Sequence, residues 1–498
     1  MKKSQVLPVL FFFLLILSAV LFIYVIIRSQ LLPGRMVLII AVIFLLTFLL
    51  LGFLVFKSKK KFFAVFGTIL SLLLAAAVFA GSFYVVRAVR TAHNITTTKI
   101  EVSSVCVYML ADETDSSVSL TRELRYGILE VQDRENTDAA IKSLEEELGG
   151  SIRILTYSGP SELFAALENH EVDAIIINSA FLDLLDDREG QENSSSKLRE
   201  VHKTQVEKEV VEQTKPSNSG AIFPFIGMNE NTEPASSENR TFALYISGID
   251  SRTGLVEKSR SDVNILLIVN PDTHQVLLIN TPRDYYVPLS ISNGIRDKLT
   301  HAGIYGVQVS MDTLEMLYDI DLDYYFRVNF EGFIDIVEAM GGVTVNVEKS
   351  FSTTEYSFEA GPNELNGYKA LSFVRNRFGI GDQQRGLNQV AFIKGVIKKA
   401  TSTDMLLHFS SIMSSVEGSF ETSMPYDTIS ELVREQIDTG AEWNVVSYAV
   451  SGTGASRTTY SMSDYLYVMI PDESTVETAK DLIRQVYDGK VISAPLTD

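Results

Sequence analysis

Three apolar stretches open the chain, about Val6 to Ile27, about Met36 to Phe56 and about Phe62 to Val86, and they restrict its fold more than any other feature. Each is about 20 residues or more, enough for a helix to cross a hydrocarbon core of about 30 Å. A cleaved signal peptide accounts only for the first. Lys2 and Lys3 precede the first stretch, and KSKKK (Lys57 to Lys61) separates the second from the third, whereas the loop between the first two holds only Arg28 and Arg35. The positive-inside bias therefore puts the N-terminus and the lysine loop in the cytoplasm. Three crossings then place everything after about Arg90 outside the cell, so we expect a multi-pass cell-membrane protein whose C-terminal domains are extracellular.

Charge is divided along the same line. Residues 1–90 hold ten Lys or Arg and no Asp or Glu, so of the 43 basic and 62 acidic residues in the chain, 33 and 62 belong to the remainder. A formal charge of −29 on that part repels phosphate backbones and makes DNA a disfavoured partner. Any anion it holds needs a local basic cluster, a metal, or both. The single cysteine, Cys106, excludes an intrachain disulfide framework and reads as a buried small hydrophobe. The histidines (His93, His170, His202, His274, His301 and His408) show no metal-ligand spacing and read as structural or surface groups.

From about residue 98 to 190, strand-like runs (IEVSSVCVYML, SIRILTY, DAIIINSAF) alternate with helix-like ones (TDAAIKSLEEELG, SELFAALEN). That alternation predicts a small α/β accessory domain with parallel pairing. Residues 191–240 turn polar, with KLREVHKTQVEKEVVEQTK read as a strand or helix returning to the small domain and NENTEPASSENR as a linker. A larger α/β domain then occupies 241–498. Its strands DVNILLIVN and QVLLINTP are nearly continuously apolar, joined by a turn at Pro271–His274, and should be buried on both faces under helices.

In the run from Phe242 to Asp284, charged groups flank the apolar strands: Asp250 closes the first, Arg260 and Asp262 precede the second, and Arg283 and Asp284 close the third. A second mixed cluster, RNRFGIGDQQR (Arg375 to Arg385), leads into a long helix from about Gln383 to Ala400. Asp382, Arg385 and Gln389 fall three and four residues apart and share a helix face, with Leu387 and Ile393 expected on the opposite, packing face. Two carboxylates at adjacent strand ends suit a hard divalent ion completed by substrate phosphate. Arginines nearby suit a diphosphate, through forked charge-assisted hydrogen bonds. Phosphoryl transfer, where the protein positions groups and neutralises charge, is the chemistry such a set serves.

The combination of SGIDSR, RSD, TPRD and RNRFGIGDQQR with a downstream Gln resembles the LytR-CpsA-Psr family of bacterial envelope proteins, and the order of spans, accessory region and domain resembles its capsule-associated members. The resemblance implies a central mixed sheet covered by helices, binding a polyprenyl phosphate or diphosphate with its tail in an apolar tunnel. It implies a Gram-positive transferase moving a capsular polysaccharide or similar glycopolymer from the lipid to peptidoglycan, releasing polyprenyl phosphate. Carried over position by position, Asp250 and Asp262 are the carboxylates of a Mg²⁺ site, with Mn²⁺ as a substitute. Arg260, Arg283, Arg375, Arg377, Arg385 and Gln389 are phosphate-binding, and Asp382 is supporting. Asp262, Asp284 and Arg283 are the catalytic set, the general base staying open between Asp262, Asp284 and none. Membrane lipid and other capsule-assembly membrane proteins are the further partners. Two other readings remain at this stage: a regulator of capsule expression that senses the lipid precursor, and a polyprenyl diphosphate hydrolase, pyrophosphatase activity being expected of the same site.

Overall fold

The computed structural model describes residues 6–29, 32–57, 61–97, 100–111, 120–187, 194–209, 240–249, 258–376, 382–402, 405–406 and 408–493. Three apolar helices come first: α1 (Val6–Ser29), α2 (Gly34–Gly52), prolonged by a π-helical turn over Phe53–Lys57, and α3 (Lys61–Thr97). Each contains a span long and apolar enough to cross a membrane. Large apolar side chains such as Phe13, Leu46 and Phe83 point outward, which suits a surface solvated by lipid. The 37 residues of α3 extend about 55 Å, well beyond a hydrocarbon core of about 30 Å, so its last turns continue past the bundle toward the first strand.

The larger domain rests on the ends of this bundle. Arg35 at the start of α2 pairs with Asp438 at 2.7 Å, the Tyr426 hydroxyl donates to the Ser29 carbonyl at 3.3 Å, and Val89 of α3 packs against Met413 and Tyr426. The α1–α2 turn and the C-terminal end of α3 thus share the side that carries the domains.

The accessory domain is built from β1 (Ile100–Leu110), β2 (Arg125–Leu129), α4 (Arg134–Leu148), β3 (Arg153–Tyr157), α5 (Pro160–Glu168), β4 (Ala174–Asn178), α6 (Leu182–Asp186) and β5 (Leu198–Glu209). Its sheet order is β3–β2–β4–β1–β5. The expected parallel pairing holds for β2 with β3 and β4, but β1 is antiparallel to both its neighbours. The returning segment is a strand: β5 pairs with β1 from Leu110↔Leu198 to Ile100↔Glu209 and carries the sheet well past residue 190, where composition alone had ended it. Its charged residues alternate with Val201 and Val206, which pack on the core, so a half-exposed edge strand reads as a polar connector. Cys106 is fully buried, and burial pushes its thiol up to about 12.

In the larger domain, β6 (Phe242–Ile249), β7 (Ser261–Asn270) and β8 (Gln275–Asn280) form an antiparallel meander, β7 and β8 joined by the predicted turn. Two short strands, β9 (Tyr286–Pro288) and β10 (Arg296–Lys298), lead to α7 (Leu299–Tyr305) and α8 (Val307–Tyr318). β11 (Tyr324–Val328) then pairs parallel to β6 and runs into α9 (Phe330–Ala339). β12 (Val343–Val347), α10 (Gly367–Arg375) and α11 (Asp382–Ala400) follow. Strand Asn444–Ala449 adds parallel to β8, and Glu421–Thr422 closes the other edge beside β11, giving a mixed sheet. Its central strands are buried on both faces, as their continuous apolar character requires: Leu266, Ile268, Leu277 and Ile279 are inaccessible beneath α8 and helix Glu473–Tyr487, and Ile265 and Leu278 are inaccessible on the other face, which packs against Val390 and Ile393 of α11. Helix Glu473–Tyr487 is capped by Asp472, which accepts the Ser474 amide.

The meander fixes where charge gathers. Because β6 and β8 run opposite to β7, the C-terminal ends of β6 and β8 and the N-terminal end of β7 meet at one sheet end, and β11, parallel to β6, finishes there too. At Gly303 of α7 an added methyl would meet the Ser259 carbonyl at 2.5 Å, so only glycine lets α7 lie against the backbone that carries Arg260. At Gly386 it would meet the Asn280 amide at 2.4 Å, which lets α11 approach the end of β8.

Candidate functional site

At this sheet end a cavity of about 660 Å³ runs between the sheet and helices α9 and α11. Its apolar lining includes Leu244, Ile246, Phe326, Phe333, Ile393 and Val396; its charged lining is Arg260, Asp262, Arg283, Arg375 and Arg385, with Gln389 and the accessory residues Asp186 and Asp187. The two charged clusters, about 100 residues apart in sequence, therefore meet in one place. Ile393 corrects an expectation: it lies on the cavity face of α11, because offsets of four and eight from Gln389 and Arg385 keep it on their side. Leu387 does lie away from the cavity, and is exposed.

Each charged group is held by its neighbours. Arg283 Nη1 donates to Asp262 Oδ1 at 3.0 Å, and the Thr300 hydroxyl approaches the same oxygen at 3.3 Å. The Thr300 amide in turn donates to the Arg283 carbonyl at 2.8 Å, fixing α7 to the end of β8. Burial alone would raise the Asp262 carboxyl, but the charges of Arg283, Arg260 and Arg385 outweigh it and hold it below the ordinary carboxylate range. Asp284 does not line the cavity: it is buried behind Arg283, 3.5 Å from Arg283 Nε and 3.5 Å from Lys298 Nζ.

The second cluster is anchored by helix ends. Asn388 and Gln389 of α11 donate to the Phe373 and Val374 carbonyls at 3.1 and 3.4 Å, tying α11 to the last turn of α10, where Arg375 sits. The Arg375 guanidinium lies 4.3 Å above the Phe330 ring at the start of α9. Arg385 is nearly buried in the first turn of α11. Asp250 and Arg377 lie outside the described residues. Asp382 is the first residue of α11, and its side chain is likewise outside what is described.

Three further residues join the cluster that the sequence did not single out: Asp187, Lys298 and His301. His301, read as structural, lies with both ring nitrogens facing carboxylates, Nδ1 at 2.6 Å from Asp297 and Nε2 at 3.3 Å from Asp187. Two donations require the imidazolium. Burial would lower its pKa, but the Asp297 charge and both hydrogen bonds outweigh it and raise the ring above its ordinary value. The one legible signal was Asp297 and His301 four residues apart; nothing in the sequence pairs either with Asp187.

A Mg²⁺ ion commonly takes one or two carboxylates and completes its shell with water and substrate phosphate. Among the described residues no group of three or more His, Cys, Asp or Glu is arranged to hold a metal by itself. Asp262, kept ionised at the cavity wall with both of its bonds here on Oδ1, has the donor chemistry of such a substrate-completed site.

Fold and site together define an α/β domain, joined to an apolar helix bundle, whose sheet end holds a cavity with apolar walls and a cluster of arginines. Residues 192–483 match the LytR_cpsA_psr family, and the chain belongs to that family. The polyisoprenyl-teichoic acid–peptidoglycan teichoic acid transferase TagU of Bacillus subtilis (strain 168) is 34% identical over 221 residues, 43% of this chain and 69% of TagU. The TagU of Enterococcus faecalis is 32% identical over 228 residues, 45% of this chain and 70% of that protein. The crystal structure of B. subtilis TagU aligns at 29% identity and a TM-score of 0.40, covering 51% of this chain and 99% of that one.

Proposed function

We propose that this protein transfers a glycopolymer, a capsular polysaccharide in our reading, from a polyprenyl diphosphate carrier to peptidoglycan outside the cell. The observation that carries the reading is the convergence of Arg260, Arg283, Arg375 and Arg385 on a single cavity with apolar walls. A prenyl tail needs the walls and a diphosphate needs the arginines. TagU proteins that share this domain are named for the transfer of teichoic acid to peptidoglycan from a polyisoprenyl-linked form, which supports the same class of reaction.

The acceptor hydroxyl oxygen attacks the sugar-side phosphorus. The bond from that phosphorus to the bridging oxygen breaks, polyprenyl phosphate leaves with the bond's electrons, and the hydroxyl proton passes to water, leaving a phosphodiester to the wall. Forked donors from Arg283, Arg375 and Arg385 stabilise charge on the phosphoryl oxygens and the departing phosphate. Asp262 and, by sequence, Asp250 would hold Mg²⁺, whose chemistry when bound is to neutralise phosphate charge. The low pKa of Asp262 makes it a weak base and a good cation ligand. The bundle keeps the cavity within reach of a bilayer that holds the lipid's tail.

The test is full-length protein in detergent or nanodiscs, given lipid-linked polymer, peptidoglycan and Mg²⁺. The reading predicts covalent polymer on the wall fraction that depends on acceptor. Release of phosphate without acceptor would establish the hydrolase reading, and lipid binding without turnover would leave a sensor.

A further inference from the structure

The accessory domain reaches into the cavity. Arg260, expected to serve the phosphate alone, is met by two of its carboxylates: Nη1 lies 2.8 Å from Asp187 Oδ1, and Nε lies 3.3 Å from Asp183 Oδ2. The other Asp187 oxygen takes Lys298 Nζ at 3.2 Å and His301 Nε2 at 3.3 Å. One accessory carboxylate thus joins three cations of the larger domain, and it lines the cavity beside Arg260 and Asp262.

This contact is fixed by packing. Phe181 and Leu184, flanking Asp183, share one apolar core with Ile304, Met462 and Leu466 of the larger domain, and the Phe181 and Tyr305 rings meet edge to face at 5.7 Å. Gln132 donates to the Tyr460 carbonyl at 3.0 Å, and Ser161 bonds Asp464. His301 is inaccessible and Lys298 nearly so. Buried cations require counter-charges; Asp297 and Asp284 supply one side, and Asp187 supplies the other from the accessory domain.

We propose that the accessory domain is a working part of the site: Asp187, aided by Asp183, is a positioning residue that holds Arg260 so that its Nη2 donors, which these contacts leave unused, face the diphosphate. The proposal rests on the reading of Arg260 as a headgroup ligand. It gives the accessory domain a role that neither anchoring nor general stability supplies, because headgroup affinity becomes conditional on how the two domains dock.

The test measures farnesyl diphosphate binding and transfer kinetics on the full-length protein with Mg²⁺. Asp187→Ala and Asp187→Asn should each weaken binding about 10-fold, as loss of one charge-assisted bond to a positioned arginine would. Asp187→Glu should restore part of it, and the loss should fall on KM more than on kcat. Arg260→Ala should weaken binding to a similar degree, and Arg260→Ala/Asp187→Ala no further, since the two act as one unit. Additive losses would reduce Asp187 to a structural part and overturn the proposal. Tighter binding by Asp187→Asn would make the carboxylate a competitor of the headgroup and overturn it equally. Should Asp187→Ala not fold, Asp183→Asn and the isosteric Asp187→Asn carry the same comparison, with melting temperatures measured alongside. Wild-type protein that binds no farnesyl diphosphate would refute the headgroup reading itself, whereas wild-type binding untouched by these variants would sink only the accessory-domain role.

Discussion

Replacing Asp262 with asparagine separates charge from shape at the centre of the site. The amide keeps an oxygen for Arg283 Nη1 at 3.0 Å and for Thr300, so the local fold should survive. What disappears is one negative charge among Arg260, Arg283 and Arg385, which together hold that carboxyl ionised. A charge about 6 Å from a phosphate interacts by about 3 kcal/mol at an effective dielectric of about 20. Without metal, Asp262 opposes an anionic headgroup by up to that amount, so Asp262→Asn should bind polyprenyl phosphate more tightly in EDTA. About 10-fold is expected once solvent and salt screening reduce the full figure. With Mg²⁺ the sign should reverse: if Asp262 holds the cation as proposed, the variant lacks that ligand, so transfer should fall at least about 100-fold and lose its dependence on Mg²⁺. The assay is equilibrium binding of polyprenyl phosphate in EDTA and in Mg²⁺, alongside polymer transfer to peptidoglycan. Weaker metal-free binding, or wild-type transfer with an unchanged Mg²⁺ requirement, would refute this role for Asp262.

Arg375→Ala removes an exposed guanidinium that rests on Phe330, so transfer should drop more than about 10-fold while the melting temperature moves by roughly 2 °C or less, measured by calorimetry. Ile393→Trp adds bulk to the apolar wall; excluding about two methylenes of tail should weaken undecaprenyl phosphate binding about 10-fold while inorganic pyrophosphate binding stays level. His301 has a raised folded pKa, so its contribution to stability is complete below the free-imidazole value and is lost as pH climbs through the folded value. Faced by Asp297 and Asp187 as favourable charges and Lys298 as an opposing one, it should make the wild type lose melting temperature between the free-imidazole value and the raised folded one, a slope that His301→Gln should lack.

Much of the sheet was legible because its signals are local. Continuous apolar runs in β7 and β8 and a Pro-Asp turn between them each act within a few residues. The meeting of Arg283 with Arg385 was expected from a family resemblance rather than from spacing, since convergence over 100 residues depends on topology. What the sequence hid is tertiary in kind. The return of β5 to the small domain is legible with strand and helix both left open, because only its pairing with β1 decides between them, and Asp187 is one carboxylate in a strongly acidic segment until a second domain sets Arg260, Lys298 and His301 against it. Ile393 was misplaced by reading three polar residues as a whole helix face, when the same face turns apolar one turn further into the cavity.

The central claim is that one molecule spans both halves of the cavity, and the most direct measurement is a structure of the full-length protein with polyprenyl diphosphate and Mg²⁺. The account predicts diphosphate oxygens about 2.7–3.2 Å from Arg283, Arg375 and Arg385, with the tail running between Leu244 and Ile246 on one side and Ile393 and Val396 on the other. A headgroup bound away from those arginines, or a tail lying outside the cavity, would contradict it.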